Sequence, residues 1–218
     1  MKVDIWSDIR CPFCYIGKRK FEMALEQFAH KDHIEVEWHS FELNPNAVTT
    51  PGLNAYDYLA QAKGQTREWS VQMHENVSRA GAAVGLDLNF ETAIMANSFN
   101  AHRLIQLAKA EGLANEMEEL LFIAHFIEGK NIDDKAVLLE IGVAGGLEKV
   151  AVEELLSSDD FGMEVREDER TAQQMGVNGV PFFVFDHKLA VSGAQPPETF
   201  LGAMEQAWSA APSREEQV

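Results

Sequence analysis

The two cysteines of this chain, Cys11 and Cys14, are separated by Pro12 and Phe13 in the segment DIRCPFCYIG. A Cys-X-X-Cys pair can form a reversible disulfide, bind a metal, or be two inert buried thiols. Residues three apart lie on one face of a helix, so the two sulfur atoms can meet without movement of the backbone. The spacing therefore favours a redox-active pair.

The start of a helix would activate the first sulfur of this pair. Pro12 suits the first helical turn, because its missing N–H costs nothing there. The free N–H groups of that turn, together with Arg10 and Lys18 nearby, favour the thiolate form of Cys11. We therefore expect Cys11 to be the exposed attacking thiolate and Cys14 the buried resolving thiol.

A zinc site is the main alternative for a Cys-X-X-Cys pair. Zinc usually takes four ligands, and the chain has only two cysteines beside its seven histidines. The histidines, at positions 30, 33, 39, 74, 102, 125 and 187, form no HxxxH or HExxH pattern. We therefore predict no metal.

A strand–helix–strand unit surrounds the cysteine pair. Residues 2–7 and 34–41 alternate apolar and polar side chains, as strands do. Between them, a single apolar stripe marks a helix, formed by Phe21, Ala24, Leu25 and Phe28. A right-handed crossover makes two strands joined in this way parallel. A Cys-X-X-Cys pair beside such a unit is typical of a redox site.

The end of the chain returns to strand patterns. Residues 180–185 and 189–193 are short apolar runs, and the turn residues at 186–188 between them predict a hairpin. The Pro-Pro pair at 196–197 then begins a final amphipathic helix.

The long middle of the chain is helical in pattern. The predicted helices span residues 54–63, 66–84, 91–111, 114–128, 134–145 and 147–157. On the helix at 114–128, the glutamates at 116, 118 and 119 are expected mostly off the apolar face. We therefore predict an α/β protein. Residues 1–43 and 159–211 form one domain around a small sheet, residues 44–158 form an inserted helical domain, and residues 212–218 form a flexible tail.

The charge of the chain limits its partners. With 35 acidic and 18 basic residues, the formal net charge is −17. Such a surface repels phosphate backbones and anionic lipids, so neither nucleic acid nor a membrane is an expected partner. A soluble surface protected from aggregation is the simpler interpretation of this charge.

The beginning of the chain, MKVDIWSDIR, has no apolar run of signal-peptide length. No run of about 18 apolar residues predicts a membrane span elsewhere. We therefore expect a cytoplasmic protein. In that reducing compartment, a close cysteine pair is more often redox-active or metal-binding than a structural disulfide.

Several separate motifs resemble those of one family. CPFC after a first strand, with Gly-Val-Pro at 179–181 before a hairpin, resembles the thioredoxin superfamily, and the helical insertion is similar to that of its DsbA-like branch. The FrnE-like subfamily, related to 2-hydroxychromene-2-carboxylate isomerases, has motifs similar to CPFCYIGKRKFE, FELNP (41–45), NSFNAHRL (97–104), GVPFFVF (179–185) and VSGAQP (191–196). The resemblance covers residues 2–209. It implies a thioredoxin-like fold with a large all-α insertion.

This resemblance also implies roles for individual residues. Cys11 would be the nucleophile and Cys14 the resolving thiol. The Val180–Pro181 peptide bond would be cis and would pack against the cysteine pair. The backbone of Val180 would pair with an extended segment of the substrate.

Four more residues are candidates for substrate contact. Pro12 and Phe13 lie between the two cysteines, over the thiolate. Asn97 and His102 belong to a motif shared with the family, and they could line the cleft over Cys11 and contact substrate or glutathione. A helix cap and an interdomain hydrogen bond are the structural alternative for Asn97 and His102, and both interpretations stay open.

Three further polar residues have competing interpretations. Asp4 and Asp8 could relay a proton to Cys14, or they could cap the helix and solvate a strand. We favour the structural roles. His39 lies on a predicted strand, where a structural role is expected.

The predicted function is thiol–disulfide exchange with protein or small-molecule thiols and disulfides, through a mixed disulfide. The cysteine pair would be the redox centre, with no bound cofactor and with glutathione as a candidate co-substrate. The alternative is a glutathione-dependent isomerase or transferase of the 2-hydroxychromene-2-carboxylate isomerase type, although two cysteines argue against it. A non-enzymatic docking protein is a third hypothesis.

Overall fold

A computed structural model describes residues 1–210 of the chain. The strands are β1 (Lys2–Ser7), β2 (Glu35–Ser40), β3 (Phe182–Phe185) and β4 (Leu189–Ser192). The helices are α1 (Pro12–Gln27), α2 (Ala55–Lys63), α3 (Arg67–Ala82), α4 (Phe99–Ala110), α5 (Ala114–Phe126), α6 (Lys135–Ala144), α7 (Lys149–Ser157), α8 (Gly162–Gln174) and α9 (Pro197–Ser209). The predicted succession of a strand–helix–strand unit, a helical block, a hairpin and a final helix is confirmed for these residues. The predicted tail at 212–218 lies outside them, as does residue 211.

The four strands form one mixed sheet in the order β2-β1-β3-β4. β1 pairs with β2 in parallel, with Ile5 opposite Trp38, which confirms the predicted crossover. β1 also pairs with β3 in antiparallel orientation, with Ile5 opposite Phe183. β1 is thus central, and every residue of it after Lys2 is buried.

The predicted hairpin joins β3 to β4. Asp186 and His187 have φ angles of 51° and 55°, in the left-handed region that a tight primed turn requires. The N–H of Lys188 closes this turn by donating to the carbonyl of Phe185 at 3.0 Å.

The helical block between β2 and α8 departs from its predicted pattern in one place. The helix predicted for 91–111 begins only at Phe99. The preceding segment pairs with the loop before α2 instead: Asn54 bridges Ile94, and the N–H of Met95 donates to the carbonyl of Leu53. These tertiary hydrogen bonds replace the helical ones, so the first two predicted turns are wrong.

Helix α1 lies between two hydrophobic cores. One core contains the sheet and α9, and Phe21 contributes to it with its ring centroid 5.7 Å from that of Phe183. The other core belongs to the helical block and includes Cys14, Tyr15 and Ile16 of the same helix. The sulfur-bearing start of α1 is therefore held at the junction of the two cores.

Across residues 1–210, no helix combines the length and apolar character that crossing a membrane requires.

Candidate active site

The two cysteines occupy the start of α1. Cys11 is the N-cap residue, with extended backbone angles, and Pro12 follows it at the first helical position. The N–H of Cys14 donates to the carbonyl of Cys11 at 2.9 Å, so the two residues are joined by the first turn. Both thiols are free.

The two thiols differ in burial. Cys11 is 5% exposed and Cys14 is 1% exposed. Burial, and then the neighbouring Cys11, raise the pKa of Cys14 well above its ordinary value. Cys14 is therefore the deeper, protonated thiol, as predicted. The prediction of an exposed Cys11 is wrong in degree, because the helical block packs over the start of α1 and leaves that residue only a small opening.

The backbone of Val180 and Pro181 forms a ledge that faces the sulfur of Cys11. The Val180–Pro181 peptide bond is cis, which confirms the expectation from the resemblance. The Sγ atom of Cys11 lies 3.5 Å from the carbonyl oxygen of Val180. The N–H of Val180 has no hydrogen-bond acceptor among the described residues, so it is free to pair with an added strand.

Glycine at position 17 lets this ledge approach the helix. A Cβ atom on Gly17 would lie 2.8 Å from Cγ of Pro181 and 3.5 Å from Cζ of Phe183. The first distance is shorter than van der Waals contact allows. No sequence pattern considered above singled out Gly17, although a glycine one turn beyond Cys14 was the available signal.

The residues between the cysteines lie at the surface of the site. Phe13 is 47% exposed, and Pro12 is half-buried. An exposed aromatic ring beside a reactive sulfur agrees with the predicted substrate contact, which stays a prediction.

The two cations expected near Cys11 have different environments. Lys18 is buried and is paired with Glu22 and, at 2.9 Å, with Glu119, so its charge is already neutralised. The expectation that Lys18 supports the thiolate is therefore wrong. The guanidinium of Arg10 lies over the ring of Tyr58, 5.7 Å from its centroid.

A buried polar cluster lies beneath the site. Asp8 accepts hydrogen bonds from the N–H groups of Leu43 at 2.8 Å and Arg10 at 3.1 Å, and it lies 3.5 Å from Nε2 of His102. Burial disfavours its charge, but the contact and charge of His102 outweigh burial and lower the pKa of Asp8. These contacts match the structural role favoured for Asp8.

His102 does not line the cleft. Its side chain is 0% exposed, so the expectation that it contacts substrate or glutathione is wrong. Burial disfavours its protonated form, but the contact and charge of Asp8 outweigh burial and raise the pKa of His102. The structure instead places Nε2 of His102 3.5 Å from Asp8 in a buried ion-pair contact, and neither ring nitrogen has a hydrogen-bond partner among residues 1–210. The alternative of a satisfied hydrogen bond is therefore not met either.

Asn97 also has a structural role. Its side chain donates to the carbonyl of Ala47 at 3.0 Å and accepts from the N–H of Phe99 at 2.8 Å. It therefore ties the loop after β2 to the start of α4. Both side-chain groups are satisfied within the protein, so the predicted substrate contact is not supported.

Glu118 joins the buried cluster from α5. It was expected mostly off the apolar face, yet it is 1% exposed. Its position follows from helical spacing, because Glu118, Leu121, Phe122 and His125 lie at i, i+3, i+4 and i+7 and all are buried. The apolar residues at 121 and 122 were the signal for this face.

A second polar cluster lies on the far strand. Nε2 of His39 lies 2.9 Å from Asp4, and Nδ1 lies 2.8 Å from Asp168 of α8. Oxygen atoms of Asp4 and Glu37 and a ring nitrogen of His39 approach within 4.8 Å of one another, a spacing that suits a metal. Lys2 and Lys109 already neutralise these carboxylates, so the cluster supports the structural role predicted for His39.

This architecture defines a class of protein: a small mixed sheet with a Cys-X-X-Cys helix, a cis-proline opposite the thiols and a helical insertion. The family model that describes the DsbA-like thioredoxin domain matches residues 2–205. The chain belongs to that family, which confirms the predicted fold class.

Known proteins agree with this family assignment. The chain is 26% identical over 208 residues to the uncharacterised protein YwbO of Bacillus subtilis, covering 93% of this chain and 94% of that protein. A probable DsbA oxidoreductase of Streptomyces coelicolor superposes with a TM-score of 0.92 at 37% identity, over 97% of this chain and 92% of that one.

Two more distant structures share the fold alone. A 2-hydroxychromene-2-carboxylate isomerase gives a TM-score of 0.67 at 18% identity, over 96% of this chain and 95% of that one. The cytosolic disulfide reductase DsbM of Pseudomonas aeruginosa gives 0.65 at 17% identity, over 97% and 100%.

Proposed function

We propose that this protein is a cytoplasmic thiol–disulfide oxidoreductase that exchanges disulfides through Cys11 and Cys14. The observation that carries the proposal is the arrangement of the two thiols. Cys11 occupies the N-cap position of α1, its sulfur lies 3.5 Å from the Val180 carbonyl, and it retains a small opening, while Cys14 is sealed one turn deeper. Such asymmetry separates the attacking thiol from the resolving thiol.

The reaction has two exchange steps. The Cys11 thiolate attacks one sulfur of the substrate disulfide, whose S–S bond breaks and releases the first thiol. Cys14 then loses its proton and attacks Sγ of Cys11, which releases the second substrate thiol and closes the Cys11–Cys14 disulfide. Two electrons pass from the protein to the substrate, and the reverse sequence oxidises a dithiol.

The helix start supports the first step. The N–H groups of the first turn and the helix dipole stabilise negative charge at the N-cap position that Cys11 occupies. The free N–H of Val180 gives an extended substrate a backbone partner beside the sulfur. Glutathione is a candidate co-substrate, since a structure of DsbM is known with glutathione, but that protein resembles this chain in fold alone.

Cysteine variants test the proposal. In an insulin-reduction assay, Cys11→Ser is expected to abolish activity because no attacking thiolate remains. Cys14→Ser is expected to accumulate a mixed disulfide at Cys11, detectable by intact-mass spectrometry, because the resolving thiol is missing. Full activity in Cys11→Ser would contradict the proposal. Equilibration of the wild-type pair with glutathione buffers then gives the potential that decides the direction of transfer.

A glutathione-dependent isomerase remains the alternative outcome of these tests. An isomerase of this fold would turn over an aromatic isomerisation substrate with glutathione and would reduce neither insulin nor a small-molecule disulfide. The presence of two thiols in one helical turn favours exchange over isomerisation.

A further inference from the structure

We infer that Arg10 binds a carboxylate of the substrate, and that the substrate is a low-molecular-weight disulfide or thiol carrying a carboxylate near its sulfur. This inference rests on the proposed function, because it names the substrate class of the same site. It adds to that function the residue that selects which substrate disulfide reacts with Cys11.

Arg10 has no acidic partner in the part of the chain that the structure describes. Its backbone N–H donates to Asp8, but its guanidinium makes no hydrogen bond or ion pair, and its Nε atom is buried without an acceptor. A buried N–H without an acceptor is unfavourable, so a ligand that supplies one gains binding energy.

The other arginines among residues 1–210 are all engaged. Carboxylates pair with Arg19, Arg67, Arg166 and Arg170. Arg103 binds three backbone carbonyls, and Arg79 binds Asn76. Among residues 1–210, Arg10 is therefore the exception, because its guanidinium lies beside the thiol pair with no hydrogen-bond acceptor although the chain has 35 acidic and 18 basic residues.

The surroundings of Arg10 leave its charge available to an incoming group. Asp8, the nearest carboxylate along the chain, is occupied by His102 and by two N–H groups. The guanidinium of Arg10 also lies over the ring of Tyr58, which supplies no carboxylate. The positive charge of Arg10 also acts on His125 of α5. Burial, and after it the charge of Arg10, lower the pKa of His125 to about 4, so His125 is neutral near pH 7.

The restricted opening favours a small substrate. Cys11 is 5% exposed, and the helical block that contributes Tyr58 and His125 packs over the start of α1. A slender disulfide with a terminal carboxylate needs only this small opening, and Arg10 directly precedes Cys11 in the chain. A folded protein surface, in contrast, must first displace the covering helices. An arginine also holds a carboxylate with paired hydrogen bonds, which orients the disulfide.

The test isolates the first exchange step in the Cys14→Ser background. Reduced protein is mixed with glutathione disulfide, which is anionic, or with bis(2-hydroxyethyl) disulfide, which is neutral. Mixed-disulfide formation at Cys11 is followed by intact-mass spectrometry to give a rate constant for each disulfide. Insulin serves as the macromolecular disulfide in the same assay.

Arg10→Gln is expected to slow the reaction with glutathione disulfide by about tenfold or more, because a charge-assisted hydrogen bond is lost. The neutral disulfide should react within about threefold of the parent rate, which also shows that the variant is folded. Arg10→Lys should retain part of the anionic preference. Arg170→Gln, which removes an exposed arginine on α8, should change neither rate.

Each contrary outcome is distinct. Equal slowing for both disulfides would mean that Arg10 stabilises the Cys11 thiolate and does not bind the substrate, which overturns the inference. No slowing for either disulfide overturns it as well. A loss confined to insulin places a protein substrate at Arg10 and overturns the inference as well. If Cys11 reacts with none of the disulfides while Arg10 is intact, the proposed function fails instead.

Discussion

Glu118 brings a carboxyl group into the buried junction between the helical block and the start of α1. It faces the charges of His102, Lys18 and Asp8, and its Oε2 atom has no hydrogen-bond partner within residues 1–210. Burial raises the pKa of Glu118 to about 7. The carboxyl is therefore half-ionised near neutral pH, in a place where a charge is poorly solvated.

The raised pKa of Glu118 predicts a pH-dependent stability. An acid whose pKa is higher in the folded state destabilises that state as the pH rises above its unfolded value. The loss begins near pH 4.5 and is complete above about pH 7, and it amounts to roughly 3 kcal/mol. Glu118→Gln should therefore raise the free energy of unfolding at about pH 8 but change it little at about pH 5, as measured by urea denaturation.

The exposed Glu116 on the same helix provides the control for this prediction. Glu116→Gln removes one carboxylate from α5 without touching the buried cluster, and it should leave the pH dependence of unfolding unchanged. An identical response of the two variants would mean that Glu118 is solvated in the folded protein.

At the scale of elements, the contact between α1 and the loop before β3 sets the distance from the thiols to the ledge. Gly17 faces Pro181, and Pro181 follows the carbonyl that contacts Cys11. The same helix packs on β3 through Phe21 and on the helical block through Tyr15. α1 therefore has little freedom to move away from an added atom.

Gly17→Ala should separate α1 from the ledge. Its methyl group would overlap Pro181, so a stability loss of about 1–3 kcal/mol is expected from overpacking. Slower disulfide exchange should accompany this loss, because Cys11 shifts relative to Val180. Urea denaturation and the insulin assay measure the two effects.

Gly202 in α9 is a matched control for this glycine. It also lies inside a helix, but no atom of the described part of the chain approaches its Cβ position within 4 Å. Gly202→Ala should stabilise the protein by up to about 1 kcal/mol through helix propensity and should leave exchange unchanged. Loss of stability in both variants would point to a general intolerance of alanine rather than to the ledge.

At the scale of the whole molecule, an ion-pair cluster fastens the helical block to α1. Glu119 of α5 accepts a hydrogen bond from the hydroxyl of Tyr15 at 2.7 Å. It also accepts from Nζ of Lys18 at 2.9 Å and from Nη1 of Arg19 at 2.9 Å. Tyr15 also stacks on Phe122, with ring centroids 4.8 Å apart. This contact, adjacent to Cys14, holds the block over the thiols.

Glu119→Gln should weaken the attachment of the block. Lys18 is buried and would keep only Glu22 as an acidic partner, so a loss of about 1–3 kcal/mol is expected. Hydrogen exchange should rise along α5 and the first turns of α1, because the interface opens more often.

Tyr15→Phe provides the graded comparison. It removes the hydroxyl that donates to Glu119 at 2.7 Å and accepts from Arg19 at 3.2 Å, but it keeps the stacking on Phe122, so it should cost about 1–2 kcal/mol. A larger cost for Tyr15→Phe than for Glu119→Gln would show that the charges contribute less than the hydroxyl.

Local patterns were enough to predict the sheet strands, the hairpin and most helices. The period-two alternation of β1 and the apolar stripe of α1 are encoded within a few residues, and so is the Cys-Pro-Phe-Cys helix start. The cis bond before Pro181 was predicted from the resemblance and is confirmed. The proposed division of the chain at residues 44 and 158 stays a prediction.

Long-range contacts account for the predictions that were wrong. Residues before Phe99 form hydrogen bonds with the loop near Leu53 instead of a helix, and His102 is drawn under the site by Asp8. Neither partner lies within reach of a helical or strand period, so no local pattern contains the information.

Helical spacing and proline preference act between neighbouring residues, so the order of amino acids alone indicates which sulfur begins the helix and which lies one turn in. The burial of Cys11, the charges around it and the lack of an acidic partner for Arg10 among residues 1–210 are visible only once the chain is folded. Those properties depend on which side chains of α2, α4 and α5 contact the start of α1. Packing between segments that are distant in the chain determines these contacts.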